Sequence, residues 1–467
     1  MKTGATFVMT EALHAKLRGH LFPGDGLEAA AIVLCTRHEG KRTKLIANTV
    51  ILVPHESCER RQDFLRWPGE YLEQAITASG VLQSSIMLVH SHPGGFLGFS
   101  ELDDESDRIT MRSLFAGVEV IHGSAVMIPD GTITARLYDD LEPAKAVELV
   151  SVIGDDIRLF PNVTSGHDHA VVDGKSRTPM AFTGEMTDVL SKLSVAVIGV
   201  SGTGSVVAEQ LSRLGFGEII LIDHDRVESR NLNRILNSTT DDAEASVFKV
   251  DMFADAIERV RGTGIAYPVP SSVGTRDAVL AAADADVLFC CVDTHYGRMI
   301  ADRLASRFLM ALFDVGVLIP TMKVESVGVV IAGVYGRVDY VKPGGASLAD
   351  REVYTGESLR AETLRAANPV GYEQQLQLGY LRGIHEEAPA VISLNMLAAS
   401  TCVMEFLARA FPMREEANCN YARTLIKYRE GEHEYTSHND FPCTADSGLG
   451  MGATEPLLGI ADLSGDL

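Results

Sequence analysis

Cysteine pairs of the C-x-x-C type, long apolar runs and basic clusters are all absent from this chain of 467 residues. Its seven cysteines form no C-x-x-C pair, which argues against a structural zinc ribbon and favours a reduced, cytoplasmic protein. No stretch of about 18 uninterrupted apolar residues exists, so we expect no membrane span, and residues 1–20 lack the apolar core of a signal peptide. Without a run of Lys or Arg, nucleic-acid binding is not expected either.

The composition is that of a folded, acidic protein. Hydrophobic residues make up 46% of the chain and charged residues 22%, enough for each domain to bury a core. The net charge of -22 is most simply a solubilising surface. From the length and the changes in pattern we predict a first domain over 1–148, a linker over 149–185, a second domain over 186–435 and a tail over 436–467.

Short segments with strand or helix periodicity fill the first domain and predict an α/β fold. The predicted elements are strands or a helix–strand pair at 28–35 and 45–53, a helix over 69–80 that ends at Gly80, a strand over 84–92, a helix that starts at Ser100 and a hairpin within 118–137.

A histidine motif stands at the end of the strand predicted over 84–92. The chain reads His90-Ser91-His92-Pro93, and Ser100 and Asp103 follow. Residues two apart in a strand point to the same face, so the two imidazoles can converge on one ion. Two imidazoles and one carboxylate are a usual ligand set for a hydrolytic zinc, which keeps a fourth position open for water. A simpler interpretation stays open, in which Ser100 and Asp103 only cap a helix.

With H-x-H-P followed by S-x-x-D, the first domain resembles the JAMM (MPN-plus, JAB) zinc metalloproteases, which cut peptide or isopeptide bonds after ubiquitin-like C-termini. The resemblance implies that His90, His92 and Asp103 bind zinc. It also implies that Glu28, before the first core strand, takes a proton from the zinc-bound water, and that Ser100 helps to hold the developing oxyanion. Only the family pattern selects Glu28 over other nearby glutamates.

A glycine-rich turn opens the second domain. Gly199, Gly202 and Gly204 follow an apolar strand and precede a helix, a context that places phosphates at a helix N-terminus. Asp223 ends the next strand, where an acidic residue meets ribose hydroxyls. Strands then alternate with helices, so we predict a doubly wound, Rossmann-like parallel sheet. These features alone fit a nicotinamide dehydrogenase equally well.

The residues from Leu221 to Arg234 distinguish a dehydrogenase from another kind of nucleotide-binding enzyme. They read L-I-D-H-D and then N-L-N-R, which resembles the signature of ubiquitin-activating-enzyme-like (ThiF/MoeB-type) adenylyltransferases, a superfamily that includes the activators of sulfur carriers. The resemblance covers about residues 175–410 and implies ATP and magnesium. It implies that Asp223 binds the ribose and that Asp293 binds magnesium. The phosphates would be bound by Asn231, Arg234 and Lys249.

Arg234 and Lys249 are then expected to act in catalysis, because the transfer of a nucleotidyl group depends on cations that neutralise developing charge. The alternative for Arg234 and Lys249 is that they are ordinary solvated surface side chains. For Asp293 the alternative is that it only forms a turn at the end of a strand. Ser201 stands where glycine is usual, which costs little unless that position needs a positive φ. Arg177 loosely matches an arginine that reaches the ATP of the neighbouring subunit in family dimers, and an ordinary linker arginine is the equal alternative.

Together the two resemblances imply a two-headed enzyme for a ubiquitin-like or sulfur-carrier protein that ends in Gly-Gly. One head trims or releases the C-terminus and the other adenylates it, with zinc, ATP and magnesium, in a homodimer and with a conjugating enzyme as a candidate partner. Residues 336–388, where thioester-forming relatives often place a cysteine, contain none. Sulfur-carrier activation, adenylation of a short peptide and a binding scaffold without turnover remain the alternatives.

Overall fold

The computed structural model describes residues 4–139, 145–162, 183–324, 328–370, 372, 375 and 391–465. The chain forms two compact units. The first comprises residues 1–174 with two short segments, 307–309 and 448–459, and the second comprises 175–306, 310–447 and 460–467. Within the described residues, no helix is both long enough and apolar enough to cross a membrane.

Strands dominate the first unit. Its described elements are β1 (Ala5–Thr10), α1 (Glu11–Leu21), β2 (Ala30–Glu39), β3 (Thr43–Leu52), β4 (Glu59–Arg60), β5 (Leu65–Arg66), α2 (Glu70–Leu82), β6 (Ser85–Ser91), α3 (Glu101–Gly117), β7 (His122–Met127), β8 (Ile133–Tyr138), β9 (Lys145–Ala146), β10 (Leu149–Ile153) and β11 (Ile157–Pro161).

Nine of these strands form one mixed sheet in the order β11-β10-β1-β3-β2-β6-β7-β8-β9, and β4 and β5 form a separate hairpin. The sheet is buried on both faces. Along β2, Ala31 and Val33 belong to one hydrophobic cluster, which α1 joins, whereas Ala30 and Ile32 belong to a second cluster with α2 and α3. Burial on both faces explains why β2 reads as a continuous apolar run without alternation.

Three sequence-based boundaries differ from the structure. The linker predicted from residue 149 begins too early, because β10 and β11 extend the first sheet and β10 pairs in parallel with β1. The helix predicted to end at Gly80 continues to Leu82, where Gln83 adopts the left-handed conformation that ends it. The predicted tail includes residues 448–459 of the first unit, where the Thr36 hydroxyl donates to the Gly450 carbonyl at 2.7 Å.

Helices and strands alternate through most of the second unit. Its described elements are α4 (Gly184–Lys192), β12 (Ser194–Ile198), α5 (Gly202–Leu214), β13 (Glu218–Ile222), α6 (Thr240–Glu244), α7 (Lys249–Arg261), β14 (Ala266–Val269), α8 (Arg276–Ala283), β15 (Val287–Cys290), α9 (His295–Arg307), β16 (Ala311–Leu318), β17 (Thr321–Val324), β18 (Gly328–Ile331), β19 (Tyr335–Val341), α10 (Gly356–Ala367), α11 (Ile392–Ala410), β20 (Arg423–Lys427) and β21 (Glu432–Thr436).

The main sheet of the second unit has the order β14-β13-β12-β15-β16-β19-β20-β21. The first five of these strands are parallel, which confirms the predicted doubly wound sheet, and β19, β20 and β21 extend it by antiparallel pairing. The helix α11 packs against α5, β16 and β19. The region over 336–388 contains most of β19 and all of α10.

Candidate active sites

The first candidate site lies where β6 ends and α3 begins. His90 is the penultimate residue of β6 and His92 lies just beyond its end, so the period of two brings both imidazoles to one face, as predicted. The Nε2 atoms of the two histidines are 3.1 Å apart. Asp103, in the first turn of α3, places Oδ1 at 3.1 Å from His90 Nε2 and Oδ2 at 3.5 Å from His92 Nε2. The structure therefore brings all three predicted ligands together.

The spacing of these ligand atoms suits zinc. Zinc bonds of about 2.0–2.1 Å in a tetrahedral arrangement put neighbouring ligand atoms roughly 3.3 Å apart. His92 also bonds through Nδ1 to the carbonyl of Phe96 at 2.9 Å, and a carbonyl only accepts, so Nδ1 carries the proton and the Nε2 lone pair faces the site. Burial opposes the ionisation of Asp103, but the two neighbouring histidines outweigh it and hold the pKa of this carboxyl well below its usual range.

Glu28 lies beside the metal-ligand cluster, as the resemblance implied. Its Oε1 is 3.9 Å from His92 Nε2, and burial raises the pKa of this carboxyl, against the attraction of the two histidines. Arg60 holds the backbone of the Glu28 segment: its Nε donates to the Glu28 carbonyl at 2.6 Å and its Nη1 pairs with Asp25 at 2.8 Å. The Glu28 amide donates to the Arg61 carbonyl at 2.9 Å, so the β4–β5 hairpin and its turn hold the backbone at Glu28.

Ser100 both caps α3 and bonds to the predicted metal ligand Asp103. It is the N-cap of α3, and it forms a capping box with Asp103. Both the amide and the hydroxyl of Ser100 donate to Asp103 Oδ2, at 2.6 and 2.8 Å, so in this structure the hydroxyl proton orients a ligand. Further along α3, Asp107 accepts from Arg136 Nη2 at 2.7 Å, and the Arg136 guanidinium stacks over Phe99 at 3.8 Å.

The second candidate site is a cavity of about 1440 Å³ in the second unit. It opens at the carboxyl ends of β12, β13, β15 and β16, where ligands bind in doubly wound sheets. Its lining includes the predicted site residues Gly199, Gly202, Asp223, Asn231, Arg234, Lys249 and Asp293. The seven residues come from five separate stretches of chain, and the fold brings them to one cavity.

Steric contacts and backbone conformation explain the glycines of this turn. Gly199 has φ +87°, which favours glycine, and a Cβ on Gly204 would lie 1.8 Å from the Gly199 carbonyl oxygen. A Cβ on Gly202 would lie 2.3 Å from Asn395 Nδ2. Ser201 has φ -102°, so the serine at this position introduces no backbone strain, in agreement with the sequence argument.

Asp223 is held at the end of β13 by the backbone. Its Oδ2 accepts from the Val200 amide at 2.8 Å and its Oδ1 from the Asp225 amide at 2.9 Å. Burial raises the pKa of Asp223, and the charge of Lys249 opposes that rise. The carboxylate is therefore oriented towards the turn, with acceptor capacity left for hydroxyl groups of a ligand.

The predicted cations also reach the cavity. Lys249 is buried and pairs with Asp225 at 2.8 Å, and Arg234 donates to the Arg230 carbonyl at 3.0 Å.

Asn231 is buried, and its Oδ1 accepts from the Glu228 amide at 3.2 Å, so part of its hydrogen-bonding capacity serves the local turn. Asp293 is exposed on the cavity wall, just past the end of β15. Arg177 lies outside the described residues.

Several cavity residues were missed by the sequence argument. Asn395 is 2% exposed, and its Oδ1 has no hydrogen-bond partner. Arg298 pairs at 3.2 Å with Asp314, a fully buried carboxylate that Arg337 also contacts. Glu362 accepts from the Tyr296 amide at 2.8 Å. A single Asn in the apolar helix α11 was the only sequence signal for the first of these residues.

The environment of the cysteines next to the cavity disfavours their thiolate forms. Burial raises the pKa of the Cys290 and Cys291 thiols well above the ordinary value, and it does the same for Cys402 in α11. Cys443 is exposed and Cys419 half-buried.

Two family models match separate parts of the chain. Residues 176–438 match the ThiF family, and residues 10–138 match prokaryotic homologs of the JAB domain. Ubiquitin-like modifier-activating enzyme 5 of Bombyx mori is 30% identical over 135 residues, which cover 27% of this chain and 34% of that protein. The enzyme of the same name from Caenorhabditis briggsae is 29% identical over 278 residues, 54% of this chain and 58% of that protein. The chain thus spans between a third and three fifths of the length of these relatives.

Solved structures with a similar chain path include two of E. coli MccB. The structure of MccB with ATP has a TM-score of 0.41 at 17% identity and covers 56% of this chain and 68% of that one. MccB with succinimide has a TM-score of 0.42 at 16% identity with the same coverage. With the family match over 176–438 and the adenylyltransferase signature lining the cavity, the chain belongs to the ThiF family and has a prokaryotic JAB domain ahead of its ThiF domain.

Proposed function

We propose that this protein is a two-headed enzyme that acts on the C-terminus of a ubiquitin-like protein. The second unit adenylates the terminal carboxylate with ATP, and the first unit cleaves peptide or isopeptide bonds after the same kind of C-terminus. The observation that carries the proposal is the presence in one chain of a His–His–Asp cluster with a buried glutamate beside it and of a cavity lined by the adenylyltransferase signature.

The cavity suits adenylation because that reaction needs positioning and cations more than a protein nucleophile. The terminal carboxylate of the modifier attacks the α-phosphorus of ATP, and pyrophosphate leaves. Lys249 and Arg234 neutralise the charge that develops, and Asp223 accepts from the ribose hydroxyls. Asp293 is the carboxylate that would hold magnesium. The ion pair with Asp225 keeps the buried Lys249 ammonium in place before ATP binds.

The first unit suits hydrolysis of a peptide bond. His90, His92 and Asp103 would hold zinc, which would supply the Lewis acidity that activates a water for attack. Glu28 would take the proton of the attacking water and pass it to the leaving nitrogen, a role that suits a carboxyl whose pKa is raised by burial. Ser100 orients Asp103 through its amide and hydroxyl.

Adenylation is tested by ATP–pyrophosphate exchange against a panel of small ubiquitin-like and sulfur-carrier proteins. We expect exchange with a modifier that ends in Gly-Gly and none with the same protein lacking its last glycine. Exchange with sulfur carriers alone would direct the function to cofactor synthesis. Binding of ATP without exchange on any member of the panel would contradict adenylation and favour a binding scaffold.

The metal site is tested by metal analysis of the purified protein. We expect one zinc per chain, and none in the variant with His90→Ala and His92→Ala, because two of three ligands are then lost. The Tyr435→Phe variant, an exposed change in the second unit, serves as the matched control and should keep its zinc. Full zinc occupancy in the double variant would refute the assignment.

The homodimer expected from the resemblance is part of the proposal, with Arg177 acting on the ATP of the neighbouring subunit. Mixing Arg177→Ala with Asp293→Ala chains produces heterodimers in which one of the two sites has both residues. Recovery of exchange is the expected result. Heterodimers that are shown to form but stay inactive would refute the action of Arg177 on the neighbouring subunit. A monomer by light scattering would refute the dimer itself.

A further inference from the structure

The three residues of the metal-ligand cluster come from two different elements. His90 and His92 lie at the end of β6, in the sheet, whereas Asp103 lies in the first turn of α3. A metal site needs its ligand atoms placed to within about 0.2 Å, so the start of α3 must be held at a fixed place against the sheet. The capping box with Ser100 orients the Asp103 carboxylate within the helix, but it does not attach the helix to the sheet.

Arg136, on β8, connects the sheet to the start of α3. Its guanidinium donates to Asp104 Oδ1 and, at 2.7 Å, to Asp107 Oδ2. The same group stacks over the ring of Phe99 at 3.8 Å. Phe99 directly precedes the N-cap of the helix, and Asp104 directly follows the predicted metal ligand. The contacts of one side chain therefore enclose the start of α3 from both sides.

Arg136 also belongs to the same part of the sheet as the two histidines. β8 pairs with β7 so that Arg136 lies opposite Ser124, and β7 pairs with β6 so that Ser124 lies opposite Leu88. Leu88 and His90 are two apart along β6, so they face the same side of the sheet, the side that packs against α3. The arginine and the histidines are thus attached to one hydrogen-bonded frame, about 10 Å apart across two strand spacings.

Asp107 receives most of the hydrogen bonds that fasten α3 to this frame. It is 7% exposed, and its Oδ2 accepts from Arg136 and from the hydroxyls of Ser124 and Tyr138, the last at 2.9 Å. A buried carboxylate is stable only when it is paired and hydrogen-bonded, so these donors fix its place. Asp107 lies four residues after Asp103, one turn further along the same face of the helix, so a shift of one moves the other.

We propose that Arg136, through its contacts with Asp107 and Phe99, is a positioning residue for Asp103 in the zinc site. This inference rests on the proposed metal site and adds a residue outside the H-x-H-P and S-x-x-D motifs. The Arg136 side chain is only 12% exposed, and its donors face α3 rather than a substrate. A guanidinium can form a hydrogen-bonded fork and a flat stack at the same time, which a lysine ammonium cannot do.

Zinc affinity tests this role without any substrate. The full chain with Arg136→Lys is stripped of metal and titrated with zinc in competition with a chromophoric chelator. We expect zinc to bind about 10–100-fold more weakly than to the parent protein, the usual loss when a group that orients a metal ligand is removed. Arg37→Lys is the matched control, because Arg37 is also largely buried and bonds to Ser85, at the other end of β6 from the histidines.

A double-variant cycle tests whether the effect passes through Asp103. In Asp103→Ala only the two histidines hold the metal, so adding Arg136→Lys should change the zinc affinity by no more than about twofold. A loss as large as in the parent background would overturn the positioning role, and so would an Arg136→Lys variant that binds zinc as the parent does. A parent protein that binds no zinc would instead refute the metal site itself.

Tyr138→Phe provides a milder change, which tests the proposal even if Arg136→Lys does not fold. It removes one hydroxyl donor to Asp107 and leaves the ion pair intact, so we expect about fivefold weaker zinc binding. Cobalt(II) bound in place of zinc should show an altered visible spectrum, because that spectrum reports ligand geometry. Tyr71→Phe, which removes a hydroxyl bonded to Ser57 at 3.2 Å, is the control. Parental zinc affinity and cobalt spectrum in Tyr138→Phe would contradict the proposal.

Discussion

Replacing Gly204 by alanine tests whether the glycine turn is as tightly packed as the structure has it. A Cβ at this position would lie 1.8 Å from the Gly199 carbonyl oxygen, and real Cβ atoms essentially never approach another atom within 3.0 Å. The backbone of the turn must therefore move by more than about 1 Å. Overpacking of this kind costs about 1–3 kcal/mol of unfolding free energy, and a 1 Å misplacement at a reaction site lowers the rate about 10²-fold.

The assay for Gly204→Ala combines thermal unfolding with ATP–pyrophosphate exchange. We expect the Tm of the second unit to fall by roughly 2–12 °C and exchange to fall about 10²-fold. Gly184→Ala is the matched control, because nothing lies within 4 Å of its added methyl group and its backbone is helical. That variant should stay within about 1 kcal/mol of the parent protein. Normal exchange and an unchanged Tm in Gly204→Ala would refute the steric argument.

Two further variants probe the first unit. Glu28→Gln should keep zinc, but its rate of cleavage of a modifier with a C-terminal extension should fall about 10²-fold or more. An unchanged rate would show that another residue is the general base. Arg60→Gln should keep zinc and lower kcat for cleavage more than it raises KM, because Arg60 fixes the backbone of Glu28. Arg61→Gln is its control, since Arg61 is largely exposed, and equal effects in the two variants would count against a positioning role for Arg60.

The local part of both sites could be predicted from the sequence. The period of two along β6 brings His90 and His92 together, and Ser100 places Asp103 in the first turn of a helix. Each inference needs only backbone geometry over a few residues. The steric need for Gly199, with its positive φ, follows from local geometry in the same way.

The missed features depend on pairing between distant segments. Asn395 reaches the cavity only because α11 packs against α5 and β16. β10 and β11 were assigned to a linker, yet Gly154 lies between these two antiparallel strands, where a turn is required.

The proposal that two independent heads act on one modifier can be tested by following both activities on a single substrate. A modifier with a C-terminal extension is incubated with ATP, and its mass is followed. The parent protein should produce first the trimmed modifier and then its adenylate. Asp293→Ala should stop at the trimmed modifier, and Glu28→Gln should adenylate only a modifier supplied already trimmed. Loss of trimming in folded Asp293→Ala protein, or adenylation of the extended modifier by Glu28→Gln, would contradict the account.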